Sequence, residues 1–501
     1  NSAPVLYLFW IFTFLIKWFI ILIGQNKGGK RQVVAYIIMK NFKKIGAIFL
    51  ASGLVLSGCS TKDANTSQGE KKEIKTISLD DFTKNLGSSE YQFVDTRSDE
   101  AYNGFKTDGI KNGGHLKNSI QYSASFIGKV NKDKEAKFVS DKGLDKNKKI
   151  VVYDTNKENV AKVSDKLATL GYDVYKFEDY KKFADNDANK DNLVTYPEYQ
   201  NLVSPEWVKS IQDGKTPETY TNKDNYSIFE VSWGEGDKAI NYKEHIKGAY
   251  HFNTDWIEDG PVWNLRSADE IKTNLLKQGI TSDKTIILYS DDASAAFRVN
   301  WALKWAGVKD VRIMNGGLKN WKEAGYETET TANTPKAASN FGVNIPAHPE
   351  YNISRAKEMA EKVKNEGIKL VSIRAWDEHL GKTSGYDYIE KAGEPKGAIF
   401  GFAGDNKGDM SDYMDPDGTL RNPQEIYNLW KGQGIAETDK IALYCGTGWR
   451  NAIPWFMTQL TGRANTYFYD GGWNDWQLDG SLPVDINKDK GSKPDSKNDY
   501  K

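Results

Sequence analysis

Short apolar runs recur through residues 76–485, and most are followed by stretches whose apolar positions have helical spacing. The clearest runs are Ile150-Val151-Val152-Tyr153, Ile286-Ile287-Leu288-Tyr289 and Ile441-Ala442-Leu443-Tyr444. Being short, β-branched-rich and without polar alternation, they read as strands covered on both faces. Val160 to Leu170, Ala295 to Ala306, Pro423 to Gly432 and Asn451 to Leu460 read as helices. Strands alternating with helices predict parallel βαβ units and an α/β fold.

The pattern is also a repeat. Asp154, Ser290 and Cys445 close the three apolar runs at intervals of 136 and 155 residues, each about one domain length. Upstream, Phe93-Val94-Asp95-Thr96-Arg97, Phe229-Glu230-Val231-Ser232 and Leu370-Val371-Ser372-Ile373-Arg374 correspond. So do His115-Leu116, His245-Ile246 and Glu394-Pro395. Downstream, Asn315-Gly316-Gly317 with Trp321 matches Asp470-Gly471-Gly472 with Trp476, while the first unit keeps only Glu178-Asp179-Tyr180 with Phe183.

The three units differ where a strand run meets its following loop. Only the third carries a thiol, Cys445, followed by Gly446-Thr447-Gly448-Trp449-Arg450. A cysteine at a strand–loop–helix junction sits where loop amides and a helix N-terminus converge, which favours the thiolate. Gly446 and Gly448 let the backbone turn inward, Arg450 adds a permanent positive charge, and Trp449 is expected to line the entrance. An aspartate cannot hold a sulfane sulfur and a serine hydroxyl is a weak nucleophile. The first two units are therefore expected to be silent.

These landmarks resemble the rhodanese-type sulfurtransferases and cover nearly all of residues 76–485. Four residues separate Cys445 from Arg450; cysteine phosphatases, including those of related fold, space the pair one residue wider, so the loop fits a persulfide better than a phosphate. The resemblance implies an α/β chain of three tandem rhodanese-like domains, each a parallel five-stranded sheet flanked by helices. It implies double displacement: Cys445 takes a sulfane sulfur from thiosulfate or 3-mercaptopyruvate, then yields it to a thiophilic acceptor such as cyanide or a thiol, with no cofactor required. Arg450 would steady the loop and attract an anionic donor. Asp415-Pro416-Asp417-Gly418-Thr419-Leu420-Arg421 resembles a turn of active domains of both donor types. Ser372 departs from the usual aspartate, and Glu378 stands near where a thiosulfate enzyme tends to keep an arginine. The alternative is a non-catalytic rhodanese scaffold on the cell surface that binds sulfur species or a partner; the intact Cys445–Arg450 loop argues against it. A cysteine phosphatase is disfavoured by loop length, and an oxyanion reductase by the lack of a second redox cysteine.

Between the first two units, Asp187, Asn189, Asp191, Leu193, Thr195 and Glu198 fall in a segment resembling an EF-hand loop, with Asn192 at the usual glycine position. This is a candidate structural calcium site, set against an acidic solvated linker. His115, His245, His251, His348 and His379 form no ligand-spaced cluster.

The N-terminal part carries an address. A basic stretch from Met39 to Lys44, an apolar run from Ile45 to Val55 and Leu56-Ser57-Gly58-Cys59 resemble a bacterial lipoprotein signal peptide with Cys59 as the lipidated residue. Val5 to Gly24 is apolar enough to span a bilayer apart from Lys17, but the preferred reading places the start of translation at Met39. Lipidation of Cys59 leaves Cys445 without an intramolecular disulfide partner. Lys plus Arg and Asp plus Glu are both 68, which gives no charge bias toward nucleic acid. The expected organisation is an upstream segment (1–38), a signal peptide (39–59), a tether (60–75), silent domains (76–184 and 204–335) joined by the EF-hand-like linker (185–203), a catalytic domain (350–485) and a disordered tail (486–501). The expected location is the extracytoplasmic face of a membrane, held by the lipid anchor.

Overall fold

The computed structural model describes residues 71–500. The expectations for the signal peptide, for Cys59 and for the segment before Met39 lie outside the described residues. No helix among the described residues is long and apolar enough to cross a membrane.

The apolar runs become the central strands of three parallel sheets. In the first domain the order is Ile120–Gln121, Tyr91–Asp95, Lys149–Tyr153, Asp173–Phe177, Lys75–Thr76. The second repeats it with Tyr250–Asn253, Tyr226–Ser232, Thr285–Tyr289, Asp310–Met314, Leu202–Val203. The third has four strands, Ile399–Phe400, Lys369–Ser372, Ile441–Tyr444, Thr466–Phe468, and at the fifth position a single parallel bridge between Ile353 and Tyr469. Each central strand is buried throughout or nearly so, because helices cover both faces.

Each domain also carries a two-stranded antiparallel clip formed by the third repeat: His115–Leu116 with Leu193–Val194, His245–Ile246 with Thr328–Glu329, and Glu394–Pro395 with Val484–Asp485. This corrects two expectations. The segment read as an EF-hand loop contains the closing strand of the first domain, so Leu193 is extended against Leu116 instead of turning around an ion. Leu202–Val203, assigned to the linker, is the edge strand of the second sheet.

The second and third domains share one hydrophobic core. The helix Ala293–Ala306 is apolar on most of its circumference because it lies between two domains. Phe297 packs edge-to-face on Phe456 at 4.9 Å, and Trp301 stacks on Phe468 at 3.9 Å. The first domain meets the others through Phe105, which joins a core of the second domain, and through polar groups. Buried Lys142 pairs with Asp415 at 2.6 Å and Glu425 at 2.9 Å, Ser125 donates to Asp417, and Asn315 donates to Asp99 and Glu100.

The tail also departs from expectation. Asn498 donates to the carbonyls of Ser411 and Met414, Arg421 donates to those of Ser496 and Lys497, and buried Tyr500 packs against Phe138 of the first domain. Its lysines and aspartates look like solvated chain in sequence, yet Lys493 pairs with Asp405 and Asp412 and Asp499 pairs with Lys134, so charged side chains, the Asn498 amide, backbone carbonyls and one aromatic ring all take part in the docking.

Trp301→Ala empties a fully buried site at the shared core and should cost about 3–5 kcal/mol. Urea unfolding should show a lower midpoint with the second and third domains still melting in one transition; a separate early transition of the second domain would contradict a common core.

Candidate active site

Cys445 follows the strand Ile441–Tyr444, at the carboxyl edge of a parallel sheet, where strand-to-helix loops gather. It is 1% exposed. The loop runs to Asn451 and feeds the helix Ala452–Thr461. Two contacts pin its entry: Trp473 N–H donates to the Cys445 carbonyl at 2.8 Å, and Asn474 N–H to that of Gly446 at 3.0 Å. Both depend on Gly472, whose φ is +58° and whose added Cβ would lie 2.7 Å from the Cys445 carbonyl oxygen. Gly317 stands likewise 2.8 Å from the carbonyl oxygen of Ser290 in the second domain. The repeated glycine pair is thus a close approach of the next helix to the loop.

The N–H groups of Gly446 through Arg450 donate to no acceptor among the described residues. Buried backbone donors are almost always paired, so this run is a cradle for a negatively charged atom. The corresponding loops of the first two domains are filled from within. Asp154 accepts from Asn156 N–H at 2.8 Å, Thr96 at 2.8 Å and Asn159 at 3.1 Å. Ser290 donates to the Asp292 carbonyl and accepts from Ala296 N–H at 3.3 Å.

Arg450 turns inward. Its two terminal nitrogens form a bidentate pair with Glu378 at 2.8 and 2.9 Å, while its Nε has no partner. Arg374 reaches the same carboxylate at 3.4 Å. Burial pushes the Glu378 carboxyl up, but the two guanidiniums outweigh it and hold it below the ordinary value. Arg450 therefore steadies the loop as expected, but its charge is already neutralised; it is not a free cation for an anionic donor. Glu378, noticed in sequence as a departure, is its counter-ion.

Ser372 is explained by Glu394. In the first domain, Asp95 at the strand end accepts from Arg97 and the Tyr153 hydroxyl. In the third, Glu394 of the neighbouring clip accepts from Arg374 at 2.9 Å, the Tyr444 hydroxyl at 2.6 Å, His379 and Ser372 itself. The carboxylate has moved in sequence while keeping its partners. Burial works against its charge, but Arg374, His379 and Ser372 prevail and hold Glu394 down to about 2.

The loop opens on a cleft of about 280 Å³ between the second and third domains. Thr447, Trp449 and Arg450 form one wall; Trp233, Glu258 and Trp263 of the second domain form another. Tyr386 lies over the loop, with its ring 2.7 Å from where a Cβ on Gly446 would sit. Trp449 donates its indole N–H to Glu258 at 2.8 Å. Arg450 is the one basic side chain among the described residues lining this cleft. Glu258, Trp263 and Tyr386 escaped sequence reading: two come from another domain, and none carries a local motif; Glu394 stood out only as a repeat landmark, without a role.

The other expected site residues do not converge. Asp187 pairs with Lys111 at 2.5 Å, Asn189 is buried and donates to the Phe183 carbonyl, Thr195 bonds the Gly113 carbonyl, and Glu198 accepts from Gln200 and Asn201. Asp187 to Asn192 form a short 3₁₀ helix with Asp191 exposed on it. Among the described residues no group of three or more His, Cys, Asp or Glu is placed to hold a metal ion. The Asp415–Arg421 turn faces the first domain through Lys142 and Ser125, away from the Cys445 cleft.

A family model for the rhodanese-like domain matches residues 78–186, 188–324 and 355–479. The chain belongs to the rhodanese family. Over 449 residues it is 32% identical to the thiosulfate sulfurtransferase YnjE of Escherichia coli K12, covering 89% of this chain and 98% of the relative. The crystal structure of YnjE superposes with a TM-score of 0.75 at 32% identity over 84% of this chain and 99% of that one. The anaerobic ergothioneine biosynthesis enzyme of Chlorobium limicola, solved with its natural substrate trimethyl histidine, gives 0.77 at 30% identity over 83% and 100%. This chain is a rhodanese-type sulfurtransferase by relationship, with Cys445 as the one cysteine among its described residues.

Glu394 holds a stability contribution linked to pH. Its folded value lies below the ordinary 4.5, so the contribution is complete above 4.5 and is lost as pH falls from there toward 2. The size is on the order of 3 kcal/mol. Glu394→Gln should lower thermal stability at neutral pH and flatten the acid limb of the stability curve; an unchanged acid limb would place that linkage elsewhere.

Proposed function

We propose that the chain moves a sulfane sulfur through a persulfide on Cys445. The observation that carries the reading is the run of unpaired amides from Gly446 to Arg450 around a buried cysteine, beside two silent loops already filled by their own side chains. With thiosulfate as donor, the Cys445 thiolate attacks the outer sulfur, the sulfur–sulfur bond breaks, and sulfite leaves with the electron pair. A thiolate or cyanide then attacks the outer sulfur of the persulfide, and Cys445 departs as thiolate. The cradle stabilises negative charge on sulfur in both steps, because fixed dipoles in a water-poor site need no reorganisation.

A second reading concerns the acceptor. The cleft is rich in aromatic faces, carries Glu258, and has its arginine already neutralised. That lining suits a cationic or neutral molecule better than a dianion. The relative known as EanB has been solved as a cysteine persulfide with ergothioneine, and with hercynine in variants. Its varied tyrosine and threonine stand 59 residues before and 2 after that cysteine, the separations of Tyr386 and Thr447 from Cys445 here. A betaine with an imidazole ring is the acceptor this supports.

The test loads purified protein with thiosulfate, and separately with 3-mercaptopyruvate, and reads intact mass for one added sulfur. Cyanide, a small thiol and trimethyl histidine are then offered as acceptors. Loading that vanishes in Cys445→Ser supports the carrier role, and the acceptor that discharges it identifies the partner. No added sulfur from either donor would return the chain to a scaffold role.

The same proposal seats the enzyme on the outer face of a bacterial membrane through Cys59, supported by the segment from Met39 to Cys59. Metabolic labelling with a fatty-acid analogue should mark the protein in cells and fail in Cys59→Ala; equal labelling of both would overturn the anchor.

A further inference from the structure

This inference rests on Cys445 as the sulfur carrier. We infer that Glu258 and Arg298 of the second domain are positioning residues of the Cys445 loop, so that a domain without a cysteine supplies half of the working site.

The geometry starts with Arg298, which is fully buried on the helix Ala293–Ala306. It meets the catalytic domain twice: Nη1 pairs with Asp470 at 2.6 Å and donates to the Gly448 carbonyl at 3.3 Å. Gly448 has φ +86°, and a Cβ there would lie 2.6 Å from that same nitrogen, so the loop is folded tightly against the guanidinium. Within its own domain, Arg298 holds Glu258 at 3.1 Å and the carbonyl of Trp263 at 3.1 Å. Trp263 is itself in the left-handed region, φ +66°, a conformation a bulky residue adopts only when its surroundings impose it. Glu258 then reaches back, accepting from the Trp449 indole with both oxygens, at 2.8 and 3.0 Å. Asp470 closes the circuit by accepting from Leu265 N–H at 2.9 Å.

The loop is therefore gripped at Gly448 and Trp449 by two side chains of another domain, while Glu378 grips Arg450 from within. A stably folded interface would not require this: the shared aromatic core already joins the two domains. An arginine and a glutamate buried at the mouth of a reactive loop are costly unless paired, and here the pair is spent on loop atoms.

Glu258 also makes the grip sensitive to protons. The groups facing it are Arg298, Trp449, Asp470 and, across the cleft, Tyr388. Burial pushes its carboxyl up, Arg298 and Trp449 oppose, and the outcome is about 7. Below that value it is mostly a neutral acid; above it, the carboxylate completes the pair with Arg298 and accepts from Trp449 at full strength. The loop should tighten as pH rises through neutrality.

The test compares wild type, Glu258→Gln, Arg298→Lys and, as a destabilised control, Val208→Ala, which thins a different core of the second domain. Two rates are followed across neutral pH: alkylation of Cys445 by iodoacetamide, and persulfide formation from thiosulfate. Melting temperatures report folding. Wild type should show an inflection near pH 7 that Glu258→Gln abolishes. Arg298→Lys, which cannot span the same acceptors, should slow persulfide formation by about 10- to 100-fold, while Val208→Ala loses stability without changing either rate. An inflection that survives in Glu258→Gln, together with a rate in Arg298→Lys no lower than in Val208→Ala, would reduce the pair to interface cement. If Arg298→Lys does not fold, the Glu258→Gln profile decides alone. Alkylation needs no sulfur donor, so altered alkylation profiles in a protein that accepts sulfur from neither thiosulfate nor 3-mercaptopyruvate would sink the sulfurtransferase reading while leaving only the positioning of the loop by Glu258 and Arg298 in place.

Discussion

The Arg450–Glu378 pair is the interaction on which the site depends. A loop whose successive amides have no acceptor is electrostatically costly, because like-oriented partial charges lie close together with nothing to balance them. Something must hold the crown open. Arg450 does so by anchoring the far end of the loop to a carboxylate of the neighbouring segment with two parallel bonds at 2.8 and 2.9 Å. Such a pair is geometrically specific in a way that a single contact is not. Removing either partner would leave a buried charge unbalanced, so the arrangement is retained or lost as a unit. The consequence for chemistry is that the arginine shapes the cradle and leaves recognition to others.

The three domains solve the same problem with different residues. Beneath each loop lies a buried carboxylate, an arginine or histidine and a tyrosine hydroxyl or another polar partner. The first domain uses Asp95, Arg97 and Tyr153; the second Glu230, His251 and Ser232; the third Glu394, Arg374 and Tyr444. In the third the carboxylate comes from the clip, and the strand end is left with Ser372. What is kept across the repeats is a buried carboxylate with its hydrogen-bond partners, which constrains positions in space more strongly than positions in sequence.

Strands, helices and the threefold repeat were legible because burial on both faces imprints an unbroken apolar run, and Ile441 to Tyr444 could hardly be anything else. The loop was legible because Cys445, its glycines and Arg450 are contiguous. The EF-hand-like segment misled because oxygen-bearing side chains at the right spacing say nothing about backbone path; Leu193 was committed to pairing with Leu116, which no spacing rule sees. Glu258 and Arg298 were invisible for another reason. Their partners, Trp449 and Gly448, are about 150 residues or more away in sequence and in another domain, so no local pattern marks them. The docked tail was missed because its ion pairs and carbonyl contacts reach residues about 80 to 365 positions away, and a lysine- and aspartate-rich run reads the same whether its charges are solvated or paired.

Tyr500 gives the molecule an unusual order of construction. A domain whose sheet begins at Lys75 completes its aromatic cluster around Phe138 with a ring synthesised more than 350 residues later. Emerging from a ribosome, the first domain has every strand of its sheet long before that ring is available. Its packing is finished only after the catalytic domain has been made and the tail has crossed that domain's surface. The first and last described parts of the chain are thus closed into one unit, and a chain cut short of Tyr500 leaves the cluster around Phe138 one ring short.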